Sequence, residues 1–188
     1  MDKSDKTKSL LINTVISLLR EGTDISKVTS RMITEKAAVN LSTINYHFDS
    51  KDELINIAVN KLISDEAEKS FERMENSSDE PKLKLRNFLV MMSNLVISYK
   101  KFLQPVMPYI LLNKEFSEAE KILPFVRECM GDKKSETECR ILSYEIISFM
   151  QLVFYREEEF KKFTGVNFSR EGQVEKLIDM KLSMIFKD

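Results

Sequence analysis

Histidine is nearly absent from this chain: His47 stands alone in 188 residues. A metal site of clustered histidines, or a His-x-x-His pair, is therefore excluded. Cysteine is almost as rare. Cys129 and Cys139 imply no disulfide framework and fit a reducing cytoplasm. A Cys–His dyad would have to join His47 to a distant cysteine, and no local signature supports one. The glycines, Gly22, Gly131, Gly165 and Gly172, stand too far apart for a phosphate-cradling loop or a dinucleotide fingerprint. The longest apolar run, Ile141 to Tyr155, contains Ser143, Glu145, Ser148 and Gln151. It is too short and too polar to span a bilayer. The charged start, MDKSDKTKSL, leads into no apolar run with a small-residue cleavage site, so no signal peptide is expected. Nothing here points to an enzyme, a cofactor, a metal or a membrane.

Charge of one sign is missing too. The chain carries 29 Lys and Arg against 30 Asp and Glu, a net of −1, where a nucleic-acid-binding domain is expected to be basic. Residues 1 to 61 hold nine Lys/Arg and eight Asp/Glu, and the remainder 20 and 22. The bias toward a basic N-terminal part has the right sign and is small. A DNA-binding reading has to rest on a motif, with modest non-specific affinity expected.

What is abundant is helix-forming: Leu, Ile, Met, Lys and Glu, with four glycines and four prolines. The pattern predicts an all-α chain of about nine helices, without strand-like alternation or repeats. Helix 1 runs from about Thr7 to Glu21, with Leu11, Val15, Leu18 and Leu19 on one face and Gly22 as the stop. Helix 4 opens on a Ser50–Glu53 capping box and reaches about Asn76. Pro81 suits the first turn of helix 5, which carries Leu85, Phe88, Leu89, Met92 and Tyr99. A sixth segment, Phe102 to Leu112, is interrupted by Pro105 and Pro108. Helix 7 starts with a second capping box, Ser117 to Glu120, and stops at Gly131, with Pro124 inside. Helix 8 starts with a third, Ser135 to Glu138, and runs toward Glu159. Helix 9, about Arg170 to Phe186, aligns Val174, Leu177, Ile178, Leu182 and Ile185.

Residues 29 to 54, TSRMITEKAAVNLSTINYHFDSKDEL, are the most informative stretch. They read as a helix, a tight turn, a short second helix and the start of a third. Ile33 and Ala37 share a face on the first, with Thr29 or Ser30 as its cap. Val39 and Asn40 form the turn, and the Asn40 side chain is expected to cap a helix starting at Leu41. On that helix Leu41, Ile44 and Phe48 are expected inward, leaving Ser42, Thr43, Asn45, Tyr46 and His47 on or near the outer face. A helix so short and so polar outside makes sense only when held on a small core and presented to a partner. Helix-turn-helix units present their second helix to the DNA major groove in this way.

The run Val-Asn-x-x-x-Ile-Asn-Tyr-His-Phe-x-Ser-Lys, from Val39 to Lys51, resembles the DNA-binding signature of the TetR family of bacterial transcriptional regulators. Ile33, Ala37, Thr43, Glu53 and Leu54 extend the resemblance, which covers roughly residues 8 to 58. Ala38 replaces the usual turn glycine, Ser42 another frequent glycine, and Asn45 a common tyrosine. Ala38 is expected to hold a less comfortable backbone angle, at a cost of about 1 kcal/mol.

The resemblance implies two domains: a helix-turn-helix DNA-binding domain over residues 1–50 and a six-helix ligand-binding and dimerisation domain over 51–188. Its DNA contacts would be Thr29, Ser30, Arg31, Asn40, Ser42, Thr43, Asn45, Tyr46, His47 and Lys51. His47 has packing as its bland alternative. The function implied is a repressor that binds a palindromic operator as a homodimer and is released by a small, largely apolar effector. Localisation would be bacterial and cytoplasmic, with nucleoid association when operator is bound. Effector candidates are Phe88, Met92, Phe102, Met107, Tyr109, Phe125, Tyr144, Glu145, Ser148 and Phe149, although core packing is the better explanation of any single apolar one. Glu145, Ser148 and Gln151 lie within an apolar helix, where buried polar groups need a partner from a neighbouring helix, a second subunit or a ligand. Helix 8 is apolar on most sides. Pattern alone leaves it as the centre of a monomeric bundle or as part of an interface, and the resemblance implies a dimer through helices 8 and 9. Helix 4, roughly 25 residues and about 38 Å long, is expected to act as a rigid lever. The alternative function is a helical small-molecule binding or carrier protein whose N-terminal unit no longer reads DNA.

Overall fold

The computed structural model describes residues 3–105, 107–113 and 115–186, in which helices and turns occur without a strand. They fall into two compact units, Met1–Asp65 and Glu66–Asp188. Helix α4 (Lys51–Asn76) begins in the first and ends in the second.

The first unit holds α1 (Lys3–Arg20), a 3-10 turn at Ile25–Lys27, α2 (Ser30–Ala37), α3 (Ser42–His47) and the opening of α4. Leu11, Val15, Leu18 and Leu19 of α1 are buried, as are Ile33, Ala37, Ile44 and Phe48. Helix α1 packs against both α2 and α3. Six residues are too few for a helix to hold itself together in water. Burial of Ile44 and Phe48, each contributing roughly 1.5–3 kcal/mol, fastens α3 to this core instead. At Gly22 the chain takes φ +85°, a left-handed angle that ends the α1 region as expected.

The second unit contains α5 (Pro81–Ser98), α6 (Lys100–Leu103), α7 (Met107–Asn113), α8 (Ser117–Met130), α9 (Glu136–Tyr155), α10 (Glu157–Thr164) and α11 (Gln173–Ile185). Helix α8 packs on α9, and α5 on both α8 and α11. Leu85, Ile122, Ile146 and Ile178 are at the centre, each essentially inaccessible to water. Phe160 of α10 stacks on Phe168, with ring centres 6.2 Å apart. The Arg86 guanidinium donates two hydrogen bonds to Asp179, joining α5 to α11. No helix of the described residues is long and apolar enough to cross a membrane.

Eleven α-helices among the described residues replace the nine expected, because two expected segments are divided. The sixth becomes α6 and α7, separated at Gln104 and Pro105, where proline's missing N–H cannot continue the ladder. The eighth becomes α9 and α10, separated at Arg156, whose φ of −106° and ψ of 34° leave the helical region. The Ser135–Glu138 capping box is complete. At Ser50 the Glu53 amide donates to Ser50 Oγ (3.0 Å), while the Glu53 carboxylate accepts from Asp49 N (2.6 Å). The Ser117 box does not form. Phe116 is the cap and Ser117 the first helical residue, so its hydroxyl faces Glu118 instead.

Three expectations about side chains are corrected. Leu41 is exposed and precedes α3 rather than packing inward. Asn40 supplies its carbonyl, not its side chain, to Thr43 N (3.0 Å), and α3 carries no side-chain cap. Glu145 is exposed and Ser148 and Gln151 are half-buried, so this trio does not lie in the core. The partner of Glu145 is Lys181 of α11. The buried polar residue of α9 is Ser143, whose hydroxyl donates to Cys139 O (2.9 Å).

Candidate nucleic-acid interface

Helix α2 is started by Thr29, whose extended backbone lets its Oγ1 accept from Met32 N (3.2 Å). Its end is set by Ala38, at φ 54° and ψ 44°, a left-handed conformation at the position where the resemblance has a glycine. There the Ala38 and Val39 amides reach the carbonyls of Glu35 (3.2 Å) and Thr34 (3.0 Å). The turn delivers the chain into α3. Ile44 is the only buried residue of α3, and Phe48 closes it with an amide bond to Ile44 O (2.8 Å).

With Ile44 and Phe48 facing inward, Ser42, Asn45 and Tyr46 are exposed and Thr43 and His47 half-buried. Tyr46 is 79 % exposed and stands edge-on to His47, ring centres 4.8 Å apart. His47 lies between it and Phe48. The outer surface of α3 thus offers an amide, hydroxyls and a phenol, all capable of meeting a base edge or a phosphate. Asn40 is exposed in the turn. Thr29 and Arg31 are exposed at the start of α2, with Ser30 half-buried.

The cations are placed less freely. Arg31 pairs with Glu35 one turn on (2.7 Å), which raises the guanidinium pKa. Lys36 bonds Glu21 (2.6 Å), clipping α2 to the end of α1 and lowering the Glu21 pKa. Lys51 Nζ donates to Val28 O (3.2 Å) and lies 3.6 Å from Asp52. That bond ties the start of α4 to the residue before α2's cap, and an ammonium has two further protons to offer. Two features escaped the sequence reading. Leu41 is one, and no periodicity in so short a helix reveals it. Lys8 is the other, its ammonium 5.5 Å from the Phe48 ring centre at the C-terminal end of α3.

The effector candidates are not gathered in one place. Phe88 and Phe125 belong to the core of the second unit, with Met92 and Phe149 packed against it. Phe102 and Met107 are buried, Tyr109, Tyr144 and Glu145 exposed, and Ser148 half-buried. Tyr144 packs edge-on against Phe116. Two cavities of about 300 and 330 Å³ are lined by Asn13, Ile16, Ser17, Arg20, Glu21 and Asp65, and by Glu80, Lys82, Leu83, Arg86, Asp179 and Leu182. Neither takes in any of the ten candidates. Burial pushes the half-buried Cys129 thiol up to about 11, which keeps it protonated at neutral pH.

Comparison with known proteins bears on the same stretch of chain. The family model described as "Bacterial regulatory proteins, tetR family" matches residues 21–57, from the end of α1 into the first turns of α4. Over residues 21–57 the chain is similar to the tetR-family segment. The resemblance read from Val39 to Lys51 is borne out over these residues, and the function they carry is that of a DNA-binding transcriptional regulator. Beyond the tetR-type segment the likeness is one of fold. A Clostridium perfringens protein described as a fatty acid metabolism regulator has a similar structure, with a TM-score of 0.55 and 22% identity. The match covers 94% of this chain and 96% of that one. A gamma-butyrolactone receptor, described as ArpA-like, matches with a TM-score of 0.43 and 13% identity over 97% of this chain and 100% of its own. No curated protein matches the chain.

Proposed function

We propose that this chain is a non-enzymatic, cytoplasmic transcriptional repressor that binds a palindromic operator as a homodimer and is released by a small effector. The observation that carries it is α3 itself: a six-residue helix, fixed by Ile44 and Phe48, that turns Ser42, Asn45 and Tyr46 outward inside a tetR-type segment. Asn45 reads adenine, Ser42 and Thr43 add base contacts, and Thr29, Ser30, Arg31, Asn40, Tyr46, His47 and Lys51 hold phosphates. The division of labour falls between residues 1–50 and 51–188.

A homodimer is supported by the exposed apolar residues of the last helices. Ile141, Tyr144 and Leu152 share a stripe of α9, and Met180 and Met184 lie one turn apart on α11. The Glu145–Lys181 pair links these two helices. Two copies place two reading helices in successive major-groove turns. The effector is taken up by the second unit, where Phe88, Met92, Phe125 and Phe149 supply adaptable apolar side chains in or against its core. The Clostridium perfringens protein is described as a regulator of fatty acid metabolism, which agrees with an effector that is largely apolar.

Selection from a random duplex pool tests the reading. The purified chain is expected to sediment as a dimer and to enrich a palindrome with half-site centres about 10–10.5 base pairs apart. Recovery of an unenriched pool would favour the carrier protein instead. On the enriched duplex, Lys51→Ala should flatten the log–log salt dependence by about 1.8, roughly 0.9 for the phosphate held by each of the two subunits. The slope is the readout, because loss of the bond to Val28 O lowers affinity without changing the number of phosphates held.

A further inference from the structure

Leu41 is an apolar side chain at a position where the fold has no use for one. It immediately precedes α3, with φ −57° and ψ −37°, and is 60 % exposed. The core beneath α3 is already filled by Ile44 and Phe48. Its helical backbone angles are not those of a capping residue, and α3 carries no side-chain cap, so nothing in the local backbone calls for leucine either. An isolated exposed leucine is ordinary on a protein surface. What distinguishes this one is its neighbourhood. Leu41 and Asn45 are four residues apart and share a face, and together with Ser42 and Tyr46 they form the exposed surface of the reading helix.

We propose that Leu41 is a specificity-determining residue that packs against the C5-methyl group of a thymine in the major groove. The proposal rests on the DNA-reading function given above. Thymine alone among the four bases presents a methyl group there, and apolar side chains recognise it by contact. Leucine has neither donor nor acceptor, so it also disfavours cytosine, whose exposed amino group would be buried without a partner. Asn45, its neighbour on the helix, has the amide that pairs with adenine. Each half-site should therefore carry A·T pairs at neighbouring steps, one read by hydrogen bonds and one by its methyl group.

The test uses the full-length protein and the duplex enriched from a random pool. Each thymine of a half-site is replaced in turn by deoxyuridine, which removes the methyl group and keeps the hydrogen-bonding edge. One position is expected to weaken wild-type binding about fourfold, and about fifteenfold when both half-sites carry it, the effect of exposing one methyl-sized group per half-site. Leu41→Ala, checked for folding by circular dichroism, should bind the thymine and deoxyuridine duplexes alike at that position. Leu41→Gln should change the base selected there and leave the rest of the palindrome intact. Equal deoxyuridine penalties in wild type and Leu41→Ala at every position would overturn the proposal while leaving the DNA-reading function standing. Failure to enrich any duplex would overturn that function, and the role of Leu41 with it.

Discussion

The two compact units put their large side chains to opposite uses. In the first, α3 is short, its one buried residue is Ile44, and its outer surface is a set of individually distinct groups. In the second, α5, α8, α9 and α11 enclose a broad core, and apolar residues also cover parts of the outside: Tyr109 and Leu112 on α7, Ile141, Tyr144 and Leu152 on α9, Met180 and Met184 on α11. A surface that reads a pattern needs particular atoms at particular places. A surface that meets a second copy needs area. The first kind is written residue by residue, whereas the second tolerates any apolar side chain of suitable size.

The sharpest way to break this comparison is to remove the anchor of the smaller unit. Ile44→Ala should cost about 2–5 kcal/mol, the range for emptying a buried aliphatic site. Hydrogen exchange should then show α3 opening while amides around Ile146 in the second unit stay protected. Equal loss of protection in both would mean that the units do not fold as separately stable parts. Ile146→Ala, of similar cost, should give the reverse pattern. Asn45→Ala leaves the core untouched and removes only a reader. It should relax discrimination at one base of each half-site by about 1–3 kcal/mol. An unchanged preference in site selection would strike Asn45 from the list. Ala38→Gly acts on the backbone alone and has the opposite sign. Relief of the left-handed angle at φ 54° should raise the stability of the first unit by up to about 1 kcal/mol. A lower midpoint in thermal unfolding would show that the turn holds no strain.

How much of this was legible in the sequence differs between the units for a physical reason. In the first, Thr29, Ser50 and Phe48 each occupy a place that few residues can fill, so identity fixes geometry, whereas the angle at Ala38 was legible only from the glycine that the resemblance puts there. Even there the face of α3 was misread at Leu41. Over six residues a 3.6-residue period does not distinguish a start at residue 41 from a start at 42, and that one step moves Leu41 from the core to the surface. In the second unit, capping patterns were partly ambiguous. Ser135-x-x-Glu138 forms its box, whereas the same spacing at Ser117 fails because the helix begins one residue earlier, after Phe116. The apolar breadth of α9 corresponds to Ile141, Tyr144 and Leu152, which stay exposed beyond the stripe it buries. It did not reveal that Glu145 would turn outward to Lys181, because hydropathy records which side chains avoid water and not which neighbour shields them.

The central claim is that the DNA-reading unit and the effector-binding unit work against each other within one molecule. Differential affinity of an effector for two states is the only way it can shift DNA binding, and the coupling must be reciprocal. The direct measurement is a calorimetric titration of a displacing small molecule into the dimer, with and without saturating operator duplex. The account predicts that operator weakens effector binding by the same factor by which effector weakens operator binding. Equal effector affinity in the two titrations would contradict it.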